Sequence, residues 1–329
     1  MQEFHQVEIV VNLFLQGLAS WLIAPMSFFS FLGSEEFFLL VMPFIYWCVS
    51  PLLGLKLGII LGFSNATNMV LKLTFHNPRP YWIDSRVQSW SSESSFGIPS
   101  NHVQTAVTLW GYTAGVINRP WAVPAYVVVI VCIGVSRLYL GAHFLSDILA
   151  GWLIGGLLLL LISRIEAPVT AWVKKASLER LLTAALACSL GIMLLIALSG
   201  LTLQSWQLPP EWVSTALTAS PQAPIDPLDL TAAFTLGGTV LGVLGGGAYN
   251  YRKAGGCSAE GPLRHKLFRY LLGGLGLFLL WYGLGKVFPR DASPLSDGLR
   301  FLRYVLIGSW ITFFAPLLFQ RLGWMKRAV

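Results

Sequence analysis

Nine runs of 17 to 23 mostly apolar residues, each closed by a proline or a charge, leave this chain little choice of solvent. They fall at about 37–55, 57–75, 102–118, 121–137, 143–163, 181–203, 230–250, 267–287 and 300–320. A helix that crosses a bilayer needs roughly 20 such residues. At that depth every backbone amide must pair within its own segment, which selects helices. Only 11% of the residues are charged, against about a quarter in a soluble domain. The expected fold is therefore all-α: a polytopic integral membrane bundle of about nine transmembrane helices. The segment 9–34 is also uncharged but holds Asn12, Gln16 and Pro25 and runs into Glu35 and Glu36. It is read as an interfacial helix, with a tenth span as the alternative. The start lacks the basic residues and small-residue cleavage site of a secretory leader and is expected to be retained.

Alternating sides sort the charges. One side takes 14 basic residues against three acids, and the other eight against twelve. The first is expected to be cytoplasmic, with the N-terminus outside and the C-terminus inside. The net charge of +7 is thus a topology signal. No basic stripe with interleaved aromatics suggests nucleic acid. Cys48, Cys132, Cys188 and Cys257 lack metal-ligand spacing and read as thiols without disulfides.

Against this background three polar islands stand out, all on the outer side. In KLTFHNPRP, Lys72 and Arg79 are seven apart, close to two helical turns, and Pro78 and Pro80 end the helix. In IPSNH, Ser100 is an N-cap candidate before Asn101 and His102, and free N–H groups at a helix start attract anions. In SRLYLGAHFLSD, Arg137 closes the fourth run. His143 and Asp147, four apart, would share one face of the fifth helix. Charged groups at lipid depth need a partner or a function. Converging cations, a helix start and a carboxylate-oriented imidazole are what phosphoryl transfer requires. No carboxylate cluster or zinc set accompanies them, so neither metal nor other cofactor is expected.

Lys-x6-Arg-Pro, Pro-Ser-x-His and Ser-Arg-x5-His-x3-Asp together resemble the three-part signature of the type 2 phosphatidic acid phosphatase superfamily. This group includes lipid phosphate phosphatases, polyprenyl diphosphate phosphatases, glucose-6-phosphatase and vanadium haloperoxidases. The resemblance implies His143 as nucleophile through a phosphohistidine, Asp147 as its orienter and His102 as acid and then base. It implies Lys72, Arg79, Ser100, Asn101 and Arg137 as phosphate ligands. Asn101 stands where glycine is usual, and asparagine keeps the N–H donor and tolerates left-handed backbone. The nine-run layout, FHNPRPYW and SRLYLGAHF are more loosely similar to glucose-6-phosphatase.

The chain divides on this reading into 1–36, an interfacial or additional membrane helix; 37–165, the phosphatase core; and 166–329, a transmembrane extension. The expected function is metal-independent hydrolysis of a phosphate monoester, or of the terminal phosphate of a diphosphate, at the outer or lumenal face of a bacterial inner or ER-type membrane. The favoured substrate is a lipid phosphate; the alternatives are a sugar phosphate, transfer to an alcohol, or a non-catalytic phospholipid binding or transport protein. Partners are the substrate and membrane lipids, not nucleic acid. A homodimer contact is among the roles open to the extension. The serine-rich stretch 85–95 reads as a mobile loop or a lid.

Overall fold

The computed structural model describes residues 2–289 and 291–328, with side chains from His5 onward. It is almost entirely helical; among the described residues the β-structure is one isolated bridge, Ser258 to Lys326. The helices are α1 Gln2–Gln16, α2 Ile23–Phe31, α3 Glu35–Phe44, α4 Pro51–Phe75, the short α5 Pro80–Ile83, α6 Asn101–Ile117, α7 Ala122–Tyr139 and α8 Leu145–Lys175. They continue with α9 Leu178–Leu201, α10 Pro210–Ala219, α11 Thr231–Lys253, α12 Leu263–Val287 and α13 Pro294–Arg321. Among the described residues six (α7, α8, α9, α11, α12 and α13) are long and apolar enough to cross a membrane. The chain is a multi-pass integral membrane protein.

The expected runs and the observed helices differ in instructive places. The run 37–55 is split: α3 passes through a π turn at Ile45–Val49, the chain extends at Ser50, and α4 restarts at Pro51. The charges from Arg164 onward do not end the helix where the fifth run ends, at 163. Instead α8 continues through Arg164, Glu166 and Pro168 to Lys175. The segment 9–34 falls in a helix pair bent by 96°, long and apolar enough to cross a membrane only as a pair. Asn118, in the left-handed region, closes α6 before Arg119 and Pro120.

The contacts group the chain into two units. The first joins 1–37, 67–164 and 198–229, and the second joins 38–66, 165–197 and 230–329; α3, α4, α8 and α9 contribute residues to both. In the first unit Val103, Ala106, Ile133, Leu138 and Ile148 form a buried apolar core beneath the polar islands. In the second, π turns at Ile45–Val49 and Trp310–Phe314 free backbone carbonyls, which buried side chains satisfy. Trp47 Nε1 donates to Ile311 O, Tyr46 and Asn250 donate to Thr312 O, and Arg269 donates to Trp47 O. Gly238, Gly242 and Gly246 lay one face of α11 against the backbone of α13.

Candidate active site

The site lies in the first unit and is built from four pieces: the end of α4, the loop 84–97, the start of α6 and the α7–α8 turn. His143 does not sit on a helix face. α8 starts at Leu145, so His143 ends the preceding turn. The four-residue spacing still works, because Asp147 occupies the third helical position and folds back. Its Oδ2 accepts from Phe144 N at 3.0 Å, half of a capping box. The same oxygen lies 3.0 Å from His143 Nδ1. On the other side of the ring, Arg79 Nη1 is 3.2 Å from His143 Nε2. A guanidinium only donates, so Nε2 must accept and Nδ1 carries the proton. Both neighbours thus select the tautomer that leaves the Nε2 lone pair facing a cation. Both His143 and Asp147 are buried.

Arg79 is fully buried and saturated. Nε donates to Ser95 O at 2.6 Å, Nη2 to Phe96 O at 3.0 Å and Ser95 Oγ at 3.2 Å, and Nη1 to Ala142 O at 2.9 Å. Lys72 reaches the same serine, Nζ to Ser95 Oγ at 2.8 Å. The helix does not persist from Lys72 to Arg79, since α4 ends at Phe75; the two cations converge because the chain turns at His76 and Pro78. Arg137 Nη1 donates to Ser30 Oγ at 2.7 Å and Ser91 Oγ at 2.9 Å, and Nη2 to Glu93 Oε1 at 2.7 Å.

Ser100 is the residue before α6 but does not cap it: its side chain makes no cap hydrogen bond. Its N–H donates instead to Asp147 O at 3.1 Å, tying the second island to the third. Ser100 Oγ and Arg137 Nε are buried without a protein hydrogen-bond partner among the described residues. Asn101 turns its Oδ1 towards Thr105 Oγ1 at 3.2 Å. His102 lies in the first turn of α6, within electrostatic range of Glu93. The structure therefore gathers Lys72, Arg79, Ser100, His102, Arg137, His143 and Asp147 about one pocket, while the Asn101 side chain faces along its own helix.

Glu93 is a pocket residue that sequence reasoning passed over. Burial works against its charge, but Arg79, Arg137, His102 and Lys72 outweigh that and hold the carboxyl down at about 2. Gly97 is another: a Cβ there would lie 2.6 Å from Pro78 O and 2.9 Å from Asp147 Oδ2. The loop 84–97 is thus pinned by Ser91, Glu93 and Ser95 to the three cations. Among the described residues no group of three or more His, Cys, Asp and Glu side chains could hold a metal ion.

Fold and site define a class: a helical membrane protein with a buried cationic pocket around a carboxylate-oriented histidine. Residues 53–171 match the PAP2 superfamily model, and residues 234–327 match that of the PAP2 superfamily phosphatase, transmembrane extension. The chain carries a PAP2 superfamily domain followed by the transmembrane extension found with it. It is similar to a probable sphingosine-1-phosphate phosphatase from Dictyostelium discoideum, 30% identical over 142 residues that cover 38% of this chain and 34% of that protein. It is also similar to phosphatidylglycerophosphatase B from Bacillus subtilis (strain 168), 27% identical over 168 residues, 47% of this chain and 80% of that protein. The crystal structure of a transmembrane PAP2-type phosphatidylglycerolphosphate phosphatase from Bacillus subtilis aligns with a TM-score of 0.44 at 23% identity, covering 51% of this chain and 89% of that one. The chain spans about a third of the length of the sphingosine-1-phosphate phosphatase it matches.

Proposed function

We propose that this protein is a lipid phosphate phosphatase that works through a phosphohistidine on His143. One observation carries the reading: Asp147 and Arg79 bracket the His143 ring, one at Nδ1 and the other at Nε2. That leaves a lone pair aimed where a guanidinium gathers anionic oxygen. Nε2 attacks the phosphorus, the P–O ester bond breaks, and His102 gives its proton to the departing alkoxide. His102 then takes a proton from water, whose oxygen displaces His143 and releases phosphate. Lys72, Arg79 and Arg137 spread the charge of the equatorial oxygens, and Ser100 Oγ and the Asn101 N–H add donors. In this reading residues 37–165 form the catalytic core, 166–329 the extension, and 1–36 a segment added to the core. The pocket opens to the outer or lumenal side, with the C-terminus in the cytoplasm, supported by the charge sorting of the loops. Similarity to sphingosine-1-phosphate and phosphatidylglycerophosphate phosphatases supports a lipid in preference to a sugar phosphate.

The test is phosphate release by the purified full chain from sphingoid phosphate, phosphatidylglycerophosphate, phosphatidic acid, polyprenyl diphosphate and glucose 6-phosphate. His143→Ala serves as control. Release from one or more lipids that His143→Ala abolishes supports the reading. Release that survives this change, or release from glucose 6-phosphate alone, overturns it.

A further inference from the structure

Residues 1–52 lie outside the stretch that matches the PAP2 superfamily model, yet α1 is bonded to the turn that carries His143. Glu8, Asn12 and Gln16 stand four apart and share one face of α1. All three reach the α7–α8 turn or the helix ends that flank it. Asn12 Nδ2 donates to Leu138 O at 2.8 Å and to His143 O at 3.1 Å. Gln16 Nε2 donates to Tyr139 O at 3.0 Å and to Gln88 O at 2.8 Å, while its Oε1 accepts from Gln88 N at 3.0 Å. Glu8 accepts from Ser146 N at 2.6 Å and Ser146 Oγ at 3.1 Å, placing a carboxylate at the start of α8, where the helix dipole favours it. Tyr139 Oη reaches back to Ala19 O at 2.6 Å, and the His5 ring stacks on Phe144 with centroids 4.7 Å apart.

The turn needs such support. Leu140–Phe144 lies between two helices, and Gly141 has φ +72°. A Cβ at Gly141 would meet Gln88 O and, at 3.0 Å, Gln16 Nε2, so only glycine lets the loop, the turn and α1 close up. Glu8 and Asn12 are buried. Burying polar groups is costly unless they are paired; the Asn12 amide N–H groups and the Glu8 carboxylate find their partners in residues either side of His143, while Asn12 Oδ1 is buried without a protein hydrogen-bond partner among the described residues.

We propose that Glu8, Asn12 and Gln16 are positioning residues for His143. α1 acts as a strut that sets the height and tilt of the nucleophile's turn, and through Gln16 it locks the loop 84–97 to that turn. The kinetic part of this proposal rests on the phosphatase reading above. Misplacing a nucleophile by about 1 Å costs on the order of 100-fold in rate. In full-length detergent-purified protein Asn12→Ala is expected to lower kcat about 100-fold, with KM within about threefold, and Gln16→Ala to lower kcat about tenfold. Hydrogen exchange of residues 138–147 is expected to quicken about tenfold in Asn12→Ala, while α6 and the body of α8 keep their protection. Unchanged exchange in 138–147 overturns the proposal whatever the kinetics show. So does a fall in activity accounted for by loss of folded protein. If Asn12→Ala does not fold, Gln16→Ala decides by the same two measurements. If the wild type releases no phosphate from any substrate, the phosphatase reading fails, and exchange alone decides on the strut.

Discussion

Replacing Glu93 by glutamine removes one negative charge from among the cations proposed to hold the phosphate. In the folded protein its carboxyl sits at about 2, against an ordinary value of 4.5. The gap corresponds to about 3 kcal/mol of favourable interaction with the surrounding cations. The side chain is 30% exposed, so solvent screening brings this nearer to about 2 kcal/mol. The sign follows from the lowered value: the contribution is complete above pH 4.5 and is lost as the pH falls towards 2. Arg79, Arg137, His102 and Lys72 supply it, and three of them, Lys72, Arg79 and Arg137, are the cations proposed to hold the phosphate. A bound phosphate therefore competes with Glu93 for one set of charges. Glu93→Gln leaves Arg137 oriented, because Ser30 and Ser91 still hold Nη1 and the amide oxygen can still accept from Nη2. What changes is the charge. Returning about 2 kcal/mol to the anion is worth about 30-fold in binding. The inhibition constants of inorganic phosphate and vanadate, measured on the variant at neutral pH, should fall by about that factor. Acid unfolding between pH 4.5 and 2 should also lose the part due to Glu93. Inhibition constants within about threefold of wild type would refute the shared-cation argument.

The remaining predictions concern single contacts. Asp147→Asn loses the charge that holds the proton on His143 Nδ1; kcat should fall between about 10²- and 10⁴-fold at little-changed KM, and a loss below tenfold in steady-state assays would contradict the role. Gly97→Ala forces a methyl against Pro78 O and Asp147 Oδ2; a loss of about 1–3 kcal/mol in unfolding experiments, together with lowered kcat, is expected. Gly242→Ala places its methyl against Val305 O and Ser309 N in the second unit; it should cost a similar about 1–3 kcal/mol while activity per folded molecule is unchanged. Phosphate release should persist in excess chelator, and a loss reversed by Mg²⁺ would contradict the metal-independent mechanism.

What could be read from the sequence, and what could not, follows from how local each signal is. Asp147 is four residues from His143 and Arg79 seven from Lys72, so their partnership was visible as spacing, although neither pair lies on one continuous helix. Asp147 reaches His143 by folding back from a helix start, and Lys72 meets Arg79 through Ser95. Short spacings limit the distance between such groups under either backbone path. Glu93 offered no such signal. It lies in a serine-rich stretch that reads as solvent-exposed, and its partner Arg137 is 44 residues away. The polar stripe of α1 was visible but weighed on the wrong question. Asn12 and Gln16 counted against a membrane span, whereas their four-residue spacing, continued back to Glu8, marks a face that needs polar partners. Those partners lie more than 120 residues away for Asn12 and Glu8. A buried asparagine among apolar neighbours states that acceptors for its amide N–H groups are required somewhere. Only the fold says that its acceptors are the carbonyls of Leu138 and His143, which makes an unremarkable N-terminal segment part of the support for the turn that carries His143.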